Sequence, residues 1–247
     1  MSTIVIAGGA TGIGRATMDA FRRAGDQVLL ADNNAEASAL AIAEPLPGAA
    51  ERHLCDLADE GAAATVIDAA IARFGGIDTL FVNAAILASA PLADWTPALW
   101  AKSLAVNLTA PFLLAQAAAP HLARSDNASI IFTASTGALR GHAGMPAYHA
   151  TKAGLLGLCR SLADELAPQG IRVNCVLPGW IETPFNDPYW DFQADRAAAT
   201  QKLVASIPMG RQGQAGDVAG VVQFLASAAS RYVTGTSIVV DGGYSAV

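Results

Sequence analysis

Charged residues and basic runs are scarce in this chain of 247 residues. Only 15% of the residues are charged, and 21 acidic residues against 15 basic ones give a formal net charge of −6. A nucleic-acid-binding protein normally presents a basic patch, and no run of lysines and arginines could supply one here. The composition therefore argues against a nucleic-acid partner.

Cysteine is also rare, with three dispersed residues at Cys55, Cys159 and Cys175. Their spacing fits neither a metal site nor a redox motif, so we expect reduced thiols and no bound metal. The first residues enter a predicted strand directly, without a charged segment or a cleavage site. These features are typical of a cytoplasmic protein.

Long hydrophobic runs are absent, although 53% of the residues are apolar and the mean hydropathy is +0.36. The longest candidate, residues 108–119, is interrupted by Pro111 and Gln116 and ends at Pro120. A membrane-spanning helix needs about 18 to 20 consecutive apolar residues. We therefore expect no membrane partner and assign the apolar residues to a large core.

Short β-branched runs alternate with long alanine-rich helical patterns from one end of the chain to the other. This alternation predicts an α/β fold, a Rossmann-like doubly wound parallel sheet of about seven strands with helices on both faces, in one domain over residues 1–247. The predicted strands are Thr3–Ala7, Gln27–Ala31, Arg52–Cys55, Thr79–Val82, Ser129–Thr133, Ile171–Leu177 and Ser237–Val240. The predicted helices lie near Ile13–Ala24, Asn34–Ala43, Glu60–Phe74, Pro97–Ala119, Ala147–Ala167 and Asp217–Ala228.

One segment, Pro184 to Arg196, interrupts this alternation and is rich in proline, aspartate and aromatic residues. Its length and composition predict a functional loop, which we interpret as part of a substrate lid around residues 184–206.

A glycine-rich turn follows the first predicted strand and opens the first helix. Gly8, Gly12 and Gly14, with Thr11 and Ile13 between them, permit a tight turn whose N–H groups can approach a pyrophosphate. Glycine-rich turns are often only turns. The position between the first strand and a helix nevertheless favours a dinucleotide site.

Asp32 ends the second predicted strand, where the adenosine ribose of a dinucleotide should lie. A carboxylate there accepts from both ribose hydroxyls and repels a 2′-phosphate, which favours NAD over NADP. Alternatively, Asp32 could cap the helix that follows it.

Tyr148 and Lys152 stand four residues apart on a predicted helix and therefore share one face. A free tyrosine has a pKa of about 10, and a nearby ammonium favours the phenolate and draws that pKa down. The pair alone is weak evidence, because such residues often lie on ordinary helices with the lysine solvated.

The whole chain resembles the short-chain dehydrogenase/reductase family. The resemblance rests on the order and spacing of the following residues: Gly8, Gly12, Ile13, Gly14, Cys55, Asp56, Leu57, Val82, Asn83, Ala84, Ala85, Val106, Asn107, Ser135, Tyr148, Lys152, Pro178, Gly179, Asp241, Gly242 and Gly243. The sequence departs from the family pattern at Val82 and Ala85, where the family usually has asparagine and glycine.

The resemblance implies further cofactor contacts. Asp56 and Leu57 would flank the adenine, and Asn83 with Ala84 would meet the cofactor after the fourth strand. Beyond the turn at Pro178 and Gly179, two more contacts are implied: the Ile181 backbone with the carboxamide and Thr183 with the pyrophosphate.

The resemblance also implies four catalytic residues. Ser135 would bind the substrate oxygen, although Thr133 and Thr136 compete with it as hydroxyl donors. Tyr148 would be the general acid/base, and Lys152 would lower its pKa and bind the nicotinamide ribose. Asn107 would hold a water that links Lys152 to solvent.

The predicted activity is reversible hydride transfer between NAD and a small polar or cyclic secondary alcohol, such as a polyol, sugar derivative or hydroxy acid. Arg140, His142, Trp180, Tyr189 and Trp190 are the candidate substrate contacts. Alternatively, the aromatic residues anchor the lid and Arg140 faces solvent.

The family implies a homotetramer. The competing hypotheses are an NADPH-dependent carbonyl or 3-oxoacyl reductase and a non-catalytic dinucleotide-sensing protein on the same fold.

Overall fold

Seven parallel strands form one sheet in the computed structural model, which describes residues 1–247. The order across the sheet is β3-β2-β1-β4-β5-β6-β7, and every pairing is parallel. The strands are β1 Thr3–Ala7, β2 Gln27–Asp32, β3 Ala50–Leu54, β4 Thr79–Val82, β5 Ser129–Thr133, β6 Arg172–Pro178 and β7 Ser237–Val240. The predicted fold class is confirmed, and each predicted strand is present within two residues of its predicted ends.

The strands are buried on both faces, which explains their continuous apolar sequences. Along β1, Val5 belongs to the core on one side of the sheet, whereas Ile4 and Ile6 belong to the core on the other side. The chain moves outward from β1 to β3 and then returns to β4 on the opposite side of β1. Such a reversal opens a crevice at the carboxyl ends of the strands, where ligands bind in folds of this type.

Nine α-helices connect and cover the strands. They are α1 Gly12–Arg23, α2 Ala35–Ala43, α3 Ala62–Phe74, α4 Pro97–Leu104, α5 Ala110–Leu122, α6 Pro146–Leu166, α7 Asp187–Asp191, α8 Arg196–Ala205 and α9 Ala215–Ala226. The predicted lid is not an open loop, because α7 and α8 occupy most of it. Both helices begin after polar residues, and the Asp195 side chain caps α8 by accepting from the Ala198 N–H.

The predicted helix Pro97–Ala119 is present and continues through Pro111, because a π-helical turn at Ala105–Thr109 joins α4 to α5. Proline lacks an N–H group but is tolerated in the first turn of a helix, which is where Pro111 lies in α5. The continuous helix Pro97–Leu122 is long and apolar enough to cross a membrane by length and composition alone, with 39% of its most apolar window buried. Core helices of soluble proteins meet the same criterion, and this one packs on α3 and α6.

Arg172 ties the sheet to the end of α9 from a buried position. Its guanidinium donates to the Leu225 carbonyl at 2.6 Å, to the Ser230 hydroxyl at 2.7 Å and to the Asn127 side chain at 3.2 Å. Burial lowers the pKa of this guanidinium, and hydrogen bonds rather than a carboxylate stabilise it.

We expect Arg172→Met to lower the free energy of unfolding by about 2 to 4 kcal/mol, because three hydrogen bonds in a largely buried network are lost. Urea unfolding followed by circular dichroism measures the change. Arg231→Met, at an exposed arginine, is the control and should shift stability by less than about 0.5 kcal/mol. Equal losses in the two variants would contradict this role for Arg172.

Candidate active site

A cleft of about 380 Å³ lies along the carboxyl edge of the sheet. Most of the predicted site residues meet there, although they come from distant parts of the sequence. The predicted residues that line the cleft are Gly8, Thr11, Gly12, Ile13, Asp32, Asp56, Leu57, Asn83, Ala84, Ser135, His142, Tyr148, Lys152, Pro178, Gly179, Trp180, Ile181, Thr183 and Tyr189. Gly14, Asn107, Arg140 and Trp190 do not line it.

The glycine-rich turn has room for backbone but not for side chains. A Cβ atom on Gly8, whose φ is +81°, would lie 2.5 Å from the Ala84 Cα, and one on Gly14 would overlap the Gly8 carbonyl oxygen. Gly14 therefore shapes the turn from behind rather than lining the cleft.

The N-terminus of α1 faces the cleft without an internal cap. Thr11 stands at the N-cap position but makes no side-chain capping bond, and the first turn contains no acidic residue. A Cβ atom on Gly12 would lie 3.2 Å from the Thr183 methyl group, so Thr183 lies beside this turn. Uncapped N–H groups at a helix N-terminus suit an anion, and the site therefore fits the pyrophosphate of a dinucleotide.

Asp32 does not cap α2, which rules out that alternative. Asn34 caps the helix by accepting from the Ala37 N–H at 2.9 Å. The Asp32 carboxylate instead accepts from the N–H groups of Ala10 and Asn34, both at 3.0 Å, while it also lines the cleft. Asp32 therefore holds the glycine-rich turn in place and presents its charge to the cleft.

The Asp32 end of the cleft is acidic. The Asp56 side chain accepts from the Ala58 N–H at 2.9 Å in the turn after β3. Burial, together with the charges of Asp32, Asp56 and Asp59, raises the pKa of the Cys55 thiol to about 11. Cys55 therefore stays protonated near neutral pH, and its raised pKa reports a negative field at this end.

Asn83 connects the ends of three strands. Its amide nitrogen donates to the Gly8 carbonyl at 2.8 Å, and its oxygen accepts from the Thr133 hydroxyl at 3.1 Å. The structure accommodates the two residues that depart from the family pattern. Val82 is buried in the core, and Ala85 does not have the positive φ that would require glycine. Asn83 thus connects β1 and β5 without a second asparagine.

Lys152 is buried at the bottom of the cleft, with 2% of its surface exposed. Its ammonium donates to the Thr133 carbonyl at 2.7 Å and lies 5.6 Å from the centre of the Tyr148 ring. Burial lowers the pKa of Lys152 to about 8. Burial therefore disfavours the charged form of the Lys152 side chain.

Burial is the largest influence on the pKa of Tyr148. Burial raises this pKa, and a hydrogen bond with the Ser135 side chain opposes the increase. The Lys152 ammonium, 5.6 Å from the centre of the Tyr148 ring, is not among the causes of this shift. The predicted lowering of the Tyr148 pKa by Lys152 therefore stays a prediction.

Ser135 is the hydroxyl residue that meets Tyr148. It precedes a short 3₁₀ turn at Thr136–Ala138, and its oxygen accepts from the Gly137 N–H at 2.9 Å. The Thr133 hydroxyl is already bonded to Asn83, and Thr136 is buried. The geometry therefore favours Ser135 over the two threonines.

Asn107 is fully buried in the π-helical turn, and its side chain is committed to Ile86. Its oxygen accepts from the Ile86 N–H at 2.8 Å, and its nitrogen donates to the Ile86 carbonyl at 3.0 Å. The predicted water-holding role of Asn107 stays a prediction, and its side chain is already bonded to Ile86. The Asn107 carbonyl is a better candidate, because Pro111 lacks the N–H that would bond it in an α-helix.

Three of the five predicted substrate residues line the cleft. The His142 ring lies 5.4 Å from that of Trp180 and 6.1 Å from that of Tyr189, measured between ring centres. Burial lowers the pKa of His142, and the nearby His149 and Arg140 lower it further.

Arg140 and Trp190 have other roles. Arg140 donates to the Tyr244 carbonyl at 2.7 Å and stacks on the Tyr244 ring. Trp190 is buried in a cluster with Leu203, Ile207 and Tyr244. Both residues hold the C-terminus and the lid in place, so the predicted substrate contacts are corrected for these two.

Three cleft residues had no assigned role at the level of sequence: Lys102, Met145 and His149. Met145 is the N-cap residue of α6, outside the predicted helix, so helical spacing could not have identified it. Asn186 donates to the Ile181 carbonyl at 2.7 Å, a contact between neighbouring loops that carries no sequence signal.

Comparison with known proteins gives matches over nearly the whole chain. Residues 8–245 match a family model described as enoyl-(acyl carrier protein) reductase. The chain is 38% identical over 250 residues to a short-chain type dehydrogenase/reductase of Sinorhizobium fredii, covering 98% of this chain and 96% of that protein. It is 36% identical over 248 residues to an L-rhamnose 1-dehydrogenase (NAD(P)+) of Azotobacter vinelandii, covering 98% and 95% respectively.

Solved structures share the fold. A short-chain dehydrogenase/reductase from Brucella melitensis, described as a glucose/ribitol dehydrogenase, superposes with a TM-score of 0.91 at 33% identity. The match covers 98% of this chain and 96% of that one.

The buried Lys152 ammonium predicts a pH-dependent stability. The pKa of Lys152 is about 8 in the folded protein, below its ordinary value of 10.5. Between about pH 8 and pH 10.5 the unfolded state therefore binds more protons than the folded state, and the free energy of unfolding rises with pH. The full effect is about 3 kcal/mol. In Lys152→Met this rise should be missing, as measured by urea unfolding at pH 7 and pH 10. A stability difference between the two proteins that is equal at both pH values would contradict the burial of a charged lysine.

Proposed function

The chain belongs to the short-chain dehydrogenase/reductase family, and on this premise we propose that it is an NAD-dependent enzyme that interconverts a small polar or cyclic secondary alcohol and its ketone. The observation that carries the proposal is the convergence of Ser135, Tyr148 and Lys152 at one end of the cleft. A protein that only senses a dinucleotide would not need this proton-transfer group.

The three residues divide the chemistry. Tyr148 accepts the alcohol proton during oxidation and returns it during reduction, while Ser135 donates a hydrogen bond to the substrate oxygen. Lys152 supplies a fixed positive charge near the phenol, held by the Thr133 carbonyl. The bound nicotinamide supplies hydride acceptance and donation.

The choice of NAD rests on charge. Asp32 presents a carboxylate to the cleft, and Asp56 and Asp59 strengthen the negative field around Cys55. The other side chains that line this end, Asn33 and Asn34, are neutral. A 2′-phosphate would meet repulsion there without a cation to offset it.

The substrate class is supported by the residues that line the other end. His142, Trp180, Phe185 and Tyr189 offer ring faces, and Asn186 offers an amide. This mixture suits a compact ring or polyol better than a long acyl chain. The sugars in the names of the two similar dehydrogenases agree with this choice. A hydroxy acid would have to pair with Lys102, because Arg140 is bonded to Tyr244.

A homotetramer in the cytoplasm is part of the same proposal. Trp100, Phe112 and Leu113 on α4 and α5 are large apolar residues exposed on the single chain. An exposed apolar surface of this kind favours self-association.

The second candidate is an NADPH-dependent carbonyl or 3-oxoacyl reductase. It is favoured by the matching family model, whose description is that of an acyl carrier protein reductase. Kinetics with both cofactors separate the two candidates.

We expect Tyr148→Phe to reduce turnover by about 10² to 10⁴-fold, because the proton has no other acceptor at this position. The assay is NAD reduction with a panel of polyols, sugars, cyclic alcohols and hydroxy acids, with NAD binding followed by fluorescence. Tyr232→Phe removes the same hydroxyl from an exposed tyrosine and should keep full turnover. A folded, NAD-binding Tyr148→Phe protein with wild-type turnover would refute the proposed chemistry.

We expect Asp32→Asn to lower the ratio of kcat/KM for NAD to kcat/KM for NADP by about tenfold or more. The amide keeps the shape of the carboxylate and one acceptor oxygen, so it loses one of the two bonds from Ala10 and Asn34, and it removes the charge that repels a 2′-phosphate. Asp126→Asn makes the same charge change at an exposed residue just before β5, and the ratio should not change. A wild-type preference for NADPH would overturn the NAD assignment.

A further inference from the structure

His149, the residue after Tyr148, makes two hydrogen bonds with opposite requirements. Its Nδ1 lies 2.7 Å from the Gly137 carbonyl, and its Nε2 accepts from the His142 N–H at 2.9 Å. A carbonyl can only accept and an N–H can only donate, so Nδ1 carries the proton and Nε2 does not. These contacts fix a neutral imidazole in a single tautomer.

These bonds join α6 to two points, Gly137 and His142, of the segment that precedes it. We call this segment, residues 135–145, the serine loop. Gly137 also donates to the Ser135 oxygen at 2.9 Å. A Cβ atom on Gly137 would lie 2.9 Å from His149 Nδ1 and 3.2 Å from Ser135 Oγ. His149, Gly137 and Ser135 are therefore packed without spare room.

Further along the serine loop, His149 Nε2 accepts from the backbone N–H of His142. The His142 ring lies against Trp180 and Tyr189 in the part of the cleft assigned to substrate. Tyr148 and His149 are neighbours on α6, so the same helical turn carries the acid/base and this double tether.

We propose that His149 is a positioning residue with two separable effects: its Nδ1 bond sets Ser135 against Tyr148, and its Nε2 bond sets His142 against the substrate. This proposal rests on the proposed dehydrogenase function. His149 lines the cleft, but neither bond requires it to touch the substrate, and both proposed effects pass through the serine loop.

Two substitutions separate the bonds. In His149→Asn, the amide nitrogen can replace Nδ1 and keep the bond to Gly137, whereas the bond to His142 is lost. In His149→Gln, the longer side chain places its oxygen near the position of Nε2, which keeps the His142 bond and loses the Gly137 bond. We expect His149→Gln to lower kcat about tenfold with little change in KM, and His149→Asn to raise KM with kcat nearly unchanged.

A double-mutant cycle tests whether the effect on kcat passes through Ser135. In a Ser135→Ala background, His149→Gln should cause no further loss of kcat, because the group that it positions is gone. Additive losses would overturn this half of the proposal.

Two glycines in the serine loop provide a matched pair. Gly137→Ala should lower kcat because the new methyl group displaces His149 and Ser135. Gly141→Ala should not, because nothing lies within 4 Å of its Cβ position. Equal effects of the two substitutions would contradict the packing argument.

The tautomer can be measured without turnover. Nitrogen-15 NMR of the histidine side chains, assigned with His149→Asn, should show His149 protonated at Nδ1 only. Protonation at Nε2 would overturn the proposal even in an active enzyme. Failure of the proposed function appears differently, as NAD binding without turnover on any alcohol in the wild-type protein.

Discussion

The buried ammonium of Lys152 is the constraint on which the catalytic end of the cleft depends. It has no carboxylate partner, and the Thr133 carbonyl at the end of β5 is its protein acceptor. A buried charge held by one carbonyl is unfavourable, as the lowered pKa of Lys152 reflects. The fold maintains this arrangement because α6 and β5 lie in the same core. The protein thus retains a destabilising cation where, in the proposed mechanism, the Tyr148 phenol exchanges a proton.

The two ends of the cleft carry opposite charge. Asp32, Asp56 and Asp59 make the end near β2 and β3 negative, whereas Lys152 is the buried cation at the end of β5. Between them, the uncapped N-terminus of α1 offers N–H groups to an anion. The proposed cofactor, NAD, would match these three environments: its adenosine ribose hydroxyls would meet Asp32, its pyrophosphate the helix N-terminus and its nicotinamide ribose the Lys152 ammonium.

The strands and the positions of the cleft residues could be predicted because both follow from local sequence. Short apolar runs predict buried parallel strands, and residues just after them must meet at one edge of the sheet. The errors concern side chains whose partners are distant in sequence. Arg140 bonds to Tyr244, and Trp190 packs against Leu203, Ile207 and Tyr244, contacts that depend on tertiary packing. The effect of burial on the pKa of Tyr148 is also beyond what helical spacing indicates.

A crystal structure of the protein with NAD tests the central claim most directly. The account predicts that the nicotinamide ribose lies within hydrogen-bond distance of the Lys152 ammonium and that the Tyr148 phenol faces the nicotinamide ring. It would be contradicted if the nicotinamide lay away from these two groups, or if Lys152 left Thr133 to point into solvent.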